Sequence, residues 1–256
     1  MSQSPNLAEL TEFAVDLAWN AGRISLRYFQ TGLDADTKED GTPVTRADRE
    51  TEAYLREAIR ARFPEDSLFG EEYGEDEGRS ERTWVLDPID GTRSFVYGVP
   101  LYGLLIGILV DRKPQVGVVH LPALGETLAA RKGGGCFWNG RRVHVSKTSD
   151  LSQALLTTSE MPAPGSPADR CLASLEGQVG LRRTWGDCYG YALVARGGAE
   201  IMVDPEASPW DLAAIQPIVT EAGGRFTDLE GHETIWSGNG VATNGLIHEQ
   251  VLEHLA

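Results

Sequence analysis

The stretch Trp84-Val85-Leu86-Asp87-Pro88-Ile89-Asp90-Gly91-Thr92 constrains this chain more than any other. An apolar run able to fill a buried strand ends in two carboxylates three residues apart. Proline lacks an amide donor and restricts the residue before it, so Asp87-Pro88 should end the strand, and the following turn should bring Asp90 back beside Asp87. Gly91 has no Cβ, so its backbone can approach a ligand or adopt positive φ, and Thr92 adds a hydroxyl at the same place. Asp, Pro and Gly also make ordinary turns. The apolar strand in front, and further acids elsewhere that could converge on it, favour a site for a divalent cation and a phosphate.

At 256 residues the chain can bury a large core, as one substantial domain or two small ones. Its formal net charge of −15 argues against a nucleic-acid groove or an anionic membrane surface, both of which call for clustered lysine and arginine. An acidic protein that handles phosphate must bring its positive charge as metal ions. Cys136, Cys171 and Cys188 are widely spaced, odd in number and form no C-x-x-C pair, which reads as reduced thiols in a cytoplasmic protein. The N-terminal segment lacks a basic region followed by an apolar one, and no uninterrupted apolar segment approaches the roughly 18 residues a membrane span needs. Neither export by an ordinary signal nor a membrane span is expected.

Leu7, Leu10, Ala14, Leu17, Ala18, Ala21 and Ile24 recur at three- and four-residue steps, so residues 5–30 read as a long amphipathic helix in an outer layer. Residues 31–44 are polar and glycine-bearing, a mobile loop able to act as a flap near the site. Thr45-Arg46-Ala47-Asp48 opens a second helix to about residue 62 with the spacing of a capping box, which gives Asp48 a structural role; its alternative is to position a water at a metal site. A short strand at 67–69 runs into Gly70-Glu71-Glu72, repeating the pattern of strand followed by acid. Most of the charge run 71–77 reads as solvated surface, and Glu71 is its candidate because it leaves the strand directly.

Strands at 101–110, 116–121 and 127–130 form an antiparallel meander. Gly133-Gly134-Gly135 lacks the spacing of a phosphate loop and reads as a turn. A strand at 154–158 and a linker candidate at 161–167 precede helix 167–177, strand 181–184, helix 186–196, strand 200–203, helix 209–222, short strands near 225 and 241, and a terminal helix from about 245. Pro217 should kink helix 209–222, and Gly223-Gly224 should end it. Ser208-Pro209-Trp210-Asp211 opens that helix, and local sequence leaves Asp211 open between a helix-start carboxylate and a rigidly held ligand.

Taken in order, Gly70-Glu71-Glu72, Asp87-Pro88-Ile89-Asp90-Gly91-Thr92, and Trp210-Asp211-Leu212-Ala213-Ala214 up to Glu221-Ala222-Gly223-Gly224 resemble the inositol monophosphatase family over nearly the whole chain. The resemblance implies an α/β (α+β) fold, a layered α-β-α-β-α sandwich. Residues 1–150 would form an α+β part with the meander and most metal ligands, and 151–256 an α/β part with the specificity residues, both in one compact unit. It implies metal ligands at Glu71, Asp87, Asp90 and Asp211 plus the carbonyl oxygen of Ile89, an all-oxygen shell that suits two or three Mg²⁺ rather than zinc. A metal-activated water would displace the alcohol in line at phosphorus, without a covalent phosphoenzyme. Glu71 and Asp90 then belong to the catalytic set with Asp48 and Thr92, which orient the water, while backbone amides at Gly91 and Thr92 hold phosphate oxygens. A homodimer is expected on the same ground.

Gly186-Asp187-Cys188-Tyr189-Gly190-Tyr191, with Thr92-Arg93-Ser94-Phe95, resembles the histidinol-phosphatase branch of the family rather than the inositol branch. Asp187 falls where the inositol branch has a small residue lining its sugar pocket, and Asp204 where it has a longer acid; both, with Asp211, would face substrate. A carboxylate at Asp187 suits the ammonium of L-histidinol phosphate, whereas neutral inositol gains little from another buried charge. The structural alternative is that Asp187 caps helix 188–196. The expected reaction is hydrolysis of L-histidinol phosphate to L-histidinol and phosphate, in histidine biosynthesis. An inositol-1-phosphatase or broad sugar phosphatase is the alternative within enzymes, and a non-catalytic cation-binding protein lies outside them.

Overall fold

The computed structural model describes residues 6–32, 36–37, 43–159 and 163–255. Helix α1 (Leu7–Leu26) starts where the Asn6 side chain accepts the amides of Ala8 and Glu9, and it buries Leu10, Ala14, Leu17, Ala18 and Ala21, the stripe read from the sequence. After a two-stranded ribbon of β1 (Asp36–Thr37) and β2 (Pro43–Val44), helix α2 (Arg46–Arg62) packs beside α1. The flap expected at 31–44 falls partly on residues outside those described, as does the linker at 161–167.

Strands β3 (Ser67–Gly70), β4 (Gly74–Asp76), β5 (Arg82–Asp90), β6 (Gly103–Val110), β7 (Lys113–Leu121), β8 (Glu126–Arg131), β9 (Gly135–Trp138) and β10 (Arg141–Arg142) make one sheet in the order β10-β9-β8-β7-β6-β5-β3-β4, with the short helix α3 (Thr92–Val96) after β5. All its pairings are antiparallel except β3 with β5. Side chains of a strand alternate between faces. Trp84, Leu86, Leu104, Ile106 and Ile108 accordingly face α1 and α2, while Val85, Leu105, Leu109 and Val119 face the opposite way.

The remaining elements are β11 (Leu155–Thr158), α4 (Pro167–Glu176), β12 (Leu181–Arg183), α5 (Asp187–Ala195), β13 (Ile201–Asp204), α6 (Pro209–Leu212), α7 (Ile215–Glu221), β14 (Arg225–Thr227), β15 (Gly240–Thr243) and α8 (His248–Leu255). The second sheet runs β12-β11-β13-β15-β14, parallel across its first three strands and antiparallel beyond. Tyr191 and Leu193 of α5 and Ile215 and Ile218 of α7 fill the space between the sheets, and Leu172, Leu175, Val251 and Leu255 of α4 and α8 cover the outer face. The result is the expected α-β-α-β-α layering, and both sheets are mixed.

Local departures have identifiable causes. The segment expected as one helix at 209–222 is two, α6 and α7, broken at Ala213-Ala214 rather than at Pro217 itself. A proline ring clashes with the carbonyl four residues before it, here that of Ala213, so the break falls one turn early. Glu75 and Asp76 lie at the surface as expected, but their backbone pairs with Phe69 and Leu68 in β4. Cys136 and Cys188 are buried free thiols. Among the described residues, no helix is long and apolar enough to cross a membrane.

Candidate metal and phosphate site

Strand β5 does not stop at Asp87. It stays paired with β6 through Asp90, but the register slips: Asp87 lies opposite Leu105 and Asp90 opposite Gly103, three steps on one strand against two on the other. Such a bulge tolerates Pro88, which has no amide for the ladder. In a regular strand residues three apart face opposite ways, and the extra residue turns Asp90 to the side of Asp87. The Ile89 amide donates to Asp87 Oδ1 at 3.0 Å, and the Thr92 hydroxyl donates to the Ile89 carbonyl at 3.0 Å. Gly91, between them, has φ +79°, which a side chain would resist.

Asp211 reaches the same place from the second half of the chain. Its Oδ2 accepts the Ser208 amide at 2.6 Å, a capping box that fixes the carboxylate at the start of α6. The next turn is seated on the first sheet. Gly107 and Gly117 face each other across β6 and β7, and a Cβ on either would collide with Ala213 or Ala214. The paired glycines form a flat patch on which the α6–α7 junction rests, and this sets the height of Asp211 above β5. Gly117→Val is therefore expected to cost about 1–3 kcal/mol through overpacking, read as a lower melting temperature. A variant as stable as the parent would show that the junction does not need this close approach.

Carboxylate oxygens of Asp87, Asp90 and Asp211 lie within 4.8 Å of one another. Burial raises all three and neighbouring acids add to it: Asp211 rises to about 7 with Glu71 and Asp187 contributing, and Asp87 and Asp90 rise well above the usual carboxylate range with Asp211 among the contributors. Glu71 is not one of the triad, but its charge raises both Asp87 and Asp211. Its amide donates to the Leu86 carbonyl at 3.2 Å, so it leaves β3 alongside β5. Asp48 caps α2 as the spacing suggested, its Oδ2 accepting the Thr45 amide at 2.8 Å and hydroxyl at 2.6 Å. Burial pushes it up to about 7, with Glu72 and Glu71 adding to the rise. The donor set suits a hard divalent cation: clustered oxygens, short of positive charge, with neither imidazole nor thiolate in the triad.

A second acidic group adjoins the first. The Cys188 amide, at the start of α5, donates to Asp90 Oδ2 at 2.5 Å and joins the two halves of the chain. Asp187, beside it, sits in the left-handed region with φ +50°, and its carboxylate lies over Gly91. The capping alternative for Asp187 is not what is found: the N-cap of α5 is Gly186, with no side-chain capping bond. An aspartate held at positive φ without a capping bond stores strain that capping does not explain. Ser159 receives the Asp187 amide at 2.8 Å and donates to Asp204 Oδ1 at 2.5 Å. Burial and then Asp204 raise Asp187 to about 7, and the hydrogen bond of Ser159 and, more weakly, the charge of Arg93 oppose this only in part. Asp204 is raised by burial to about 6.

Sequence reading did not single out Ser159 or the amide of Cys188. Ser159 directly follows a strand, as Glu71 does, which is the one signal that could have found it. A backbone amide gives no signal.

Comparison with known proteins agrees with this architecture. The profile of the inositol monophosphatase family matches residues 6–256. A histidinol-phosphatase of Chlorobaculum parvum is 45% identical over 91% of this chain and 90% of its own length. A histidinol-phosphatase of Mycobacterium tuberculosis is 41% identical over 94% of this chain and 96% of its own. Among solved structures, an IMPase of Thermotoga maritima superposes with a TM-score of 0.87 at 32% identity, covering 95% of both chains.

Proposed function

The chain belongs to the inositol monophosphatase family and is a phosphomonoesterase, and from that premise we propose that it hydrolyses L-histidinol phosphate to L-histidinol and phosphate with Mg²⁺. The observation that carries the choice of substrate is Asp187: a half-buried carboxylate with no capping role, beside Gly91 and still short of positive charge despite Arg93. The ammonium of histidinol would supply that charge, and no neutral polyol can. The names of the relatives at 45% and 41% identity support the same reading.

In this reading Asp87, Asp90 and Asp211, with Glu71 and the Ile89 carbonyl, hold two or three Mg²⁺. Bound Mg²⁺ supplies a nucleophile near neutral pH and neutralises charge at phosphorus. The amides of Gly91 and Thr92 bind the phosphoryl oxygens. The Thr92 hydroxyl and Asp48 orient the attacking water. Asp48 Oδ2 takes both Thr45 bonds, so Oδ1 is the oxygen assigned to the water. Asp187 receives the ammonium, and Ser159 fixes Asp187 against Asp204. The parts 1–150 and 151–256 act as one unit here, because the bond from Cys188 to Asp90 crosses between them. A cytoplasmic homodimer completes the proposal.

A phosphate-release panel at equal Mg²⁺ tests the substrate: histidinol phosphate, inositol 1-phosphate, fructose 1,6-bisphosphate and adenosine 3′,5′-bisphosphate. Histidinol phosphate is expected to have the highest kcat/KM; a higher value for inositol 1-phosphate would move the assignment to the inositol or broad sugar phosphatases. Asp187→Ala should lower kcat/KM for histidinol phosphate by about 10- to 100-fold, the worth of one charged hydrogen bond, and spare p-nitrophenyl phosphate. Equal losses on both would remove Asp187 as the amine partner.

A further inference from the structure

Glu52 lies one helical turn beyond Asp48 on α2 and is wholly buried. Its carboxylate accepts the amide of Glu72 at 2.7 Å and that of Tyr73 at 3.3 Å, and it pairs with Arg56 Nε at 2.7 Å. Arg56, also buried, continues to Asp76 at 2.9 Å and donates to the Gly74 carbonyl. One helix thereby grips the backbone from Glu72 to Gly74 and the side chain of Asp76. Glu71 is the residue immediately before that grip, and its own amide is tied to β5.

The residue on the other side of Glu71 fits the same arrangement. A Cβ at Gly70 would collide with the Glu52 carboxylate and crowd the Arg56 guanidinium, so glycine is needed there because the ion pair occupies that space. Burying a carboxylate and a guanidinium is costly, and an apolar pair of similar volume commonly stabilises a fold as well or better. Stability alone does not account for Glu52. What it does that an apolar residue could not is hold two consecutive amides next to Glu71.

We propose that Glu52 is a positioning residue for the metal site: with Arg56 it fixes the turn from Gly70 to Tyr73, so that the Glu71 carboxylate stays with Asp87 and Asp211. The same helix then sets both Asp48 and Glu71, and the two cannot drift apart. This rests on the reading of Glu71 as a metal ligand.

The test measures Mg²⁺ binding by calorimetry, together with the melting temperature and the Mg²⁺ dependence of turnover, in the full chain and four variants. Glu52→Gln is expected to raise the Mg²⁺ Kd by about 10- to 100-fold, the usual effect of losing a group that orients a ligand. The KM for substrate at saturating Mg²⁺ should stay unchanged. Leu55→Ala, in the core face of the same helix, should lower the melting temperature and leave the Mg²⁺ Kd alone. If Glu52→Gln does not fold, Gly70→Ala reads the same effect, because it displaces the carboxylate without removing a charge. Glu71→Gln separates the two claims. An unchanged Kd in Glu71→Gln would overturn the ligand reading and this proposal with it. A raised Kd there, with wild-type values in Glu52→Gln and Gly70→Ala, would overturn the positioning role alone. A Kd raised as much in Leu55→Ala as in Glu52→Gln would overturn it too, since general loosening would then suffice.

Discussion

Asp90→Asn is expected to lower kcat/KM by about 10³-fold while leaving the protein folded. The substitution keeps the shape of the side chain and an oxygen able to accept the Cys188 amide, so the link between β5 and α5 survives. It removes one of three carboxylates that converge within 4.8 Å. Metal-assisted stabilisation of the transition state is worth several kcal/mol, and at 1.36 kcal/mol per tenfold a loss of about 4 kcal/mol gives the stated factor. The same change relieves repulsion among acids that are all raised, so in EDTA the variant should melt no lower than the parent. Turnover of histidinol phosphate and p-nitrophenyl phosphate measures the first part, and thermal unfolding in EDTA the second. Activity close to the parent's would take Asp90 out of the metal site.

The layering was legible in the sequence because periodicity carries it. The stripe in α1 names a buried face, and the uninterrupted apolar runs of β5 and β6 mark strands covered on both faces, before any contact is known. Asp87, Asp90 and Glu71 stood out because they follow apolar strands, whereas Asp48 and Asp211 open helices, where a carboxylate also caps, so local sequence left their role open and only the family resemblance named them. What stayed hidden depends on partners distant in sequence. The bulge that turns Asp90 toward Asp87 is a property of β5 and β6 together, and the seat for Ala213-Ala214 exists only because Gly107 and Gly117 pair across two strands. Glu52 was invisible for a third reason. It stands in a helix rich in charge, where one acid looks like any other until its burial is known.

Without metal, the protein should lose stability as pH rises from about 6 to 8, and Mg²⁺ should restore it. A carboxyl raised in the fold holds its proton at a pH where the unfolded chain has released it, so between about 4 and 7 the native state binds more protons. Stability therefore falls with rising pH through that window. Asp48, Asp187 and Asp211 at about 7 and Asp204 at about 6 all act in this sense, as do Asp87 and Asp90. Buried His120 and His248, lowered by burial to about 4, act oppositely: the unfolded chain takes up their protons first as pH drops below about 6.5, so their contribution is lost toward acid. Above about 6.5 the histidines no longer contribute to the slope, and the acids alone set it. One carboxyl moved from 3.8 to about 7 costs the folded state about 3 kcal/mol at pH 6 and about 4 kcal/mol at pH 8, so each such group adds about 1 kcal/mol of loss across that interval. In a chain of this length each of the acids at about 7 therefore lowers Tm by about 2–4 °C between pH 6 and pH 8. Saturating Mg²⁺ binds the charged form of the cluster and should flatten the dependence, raising Tm more at pH 8 than at pH 6. Equal Tm values at the two pH values in EDTA, or an equal rise with Mg²⁺ at both, would mean that these acids are not held together as one charge cluster.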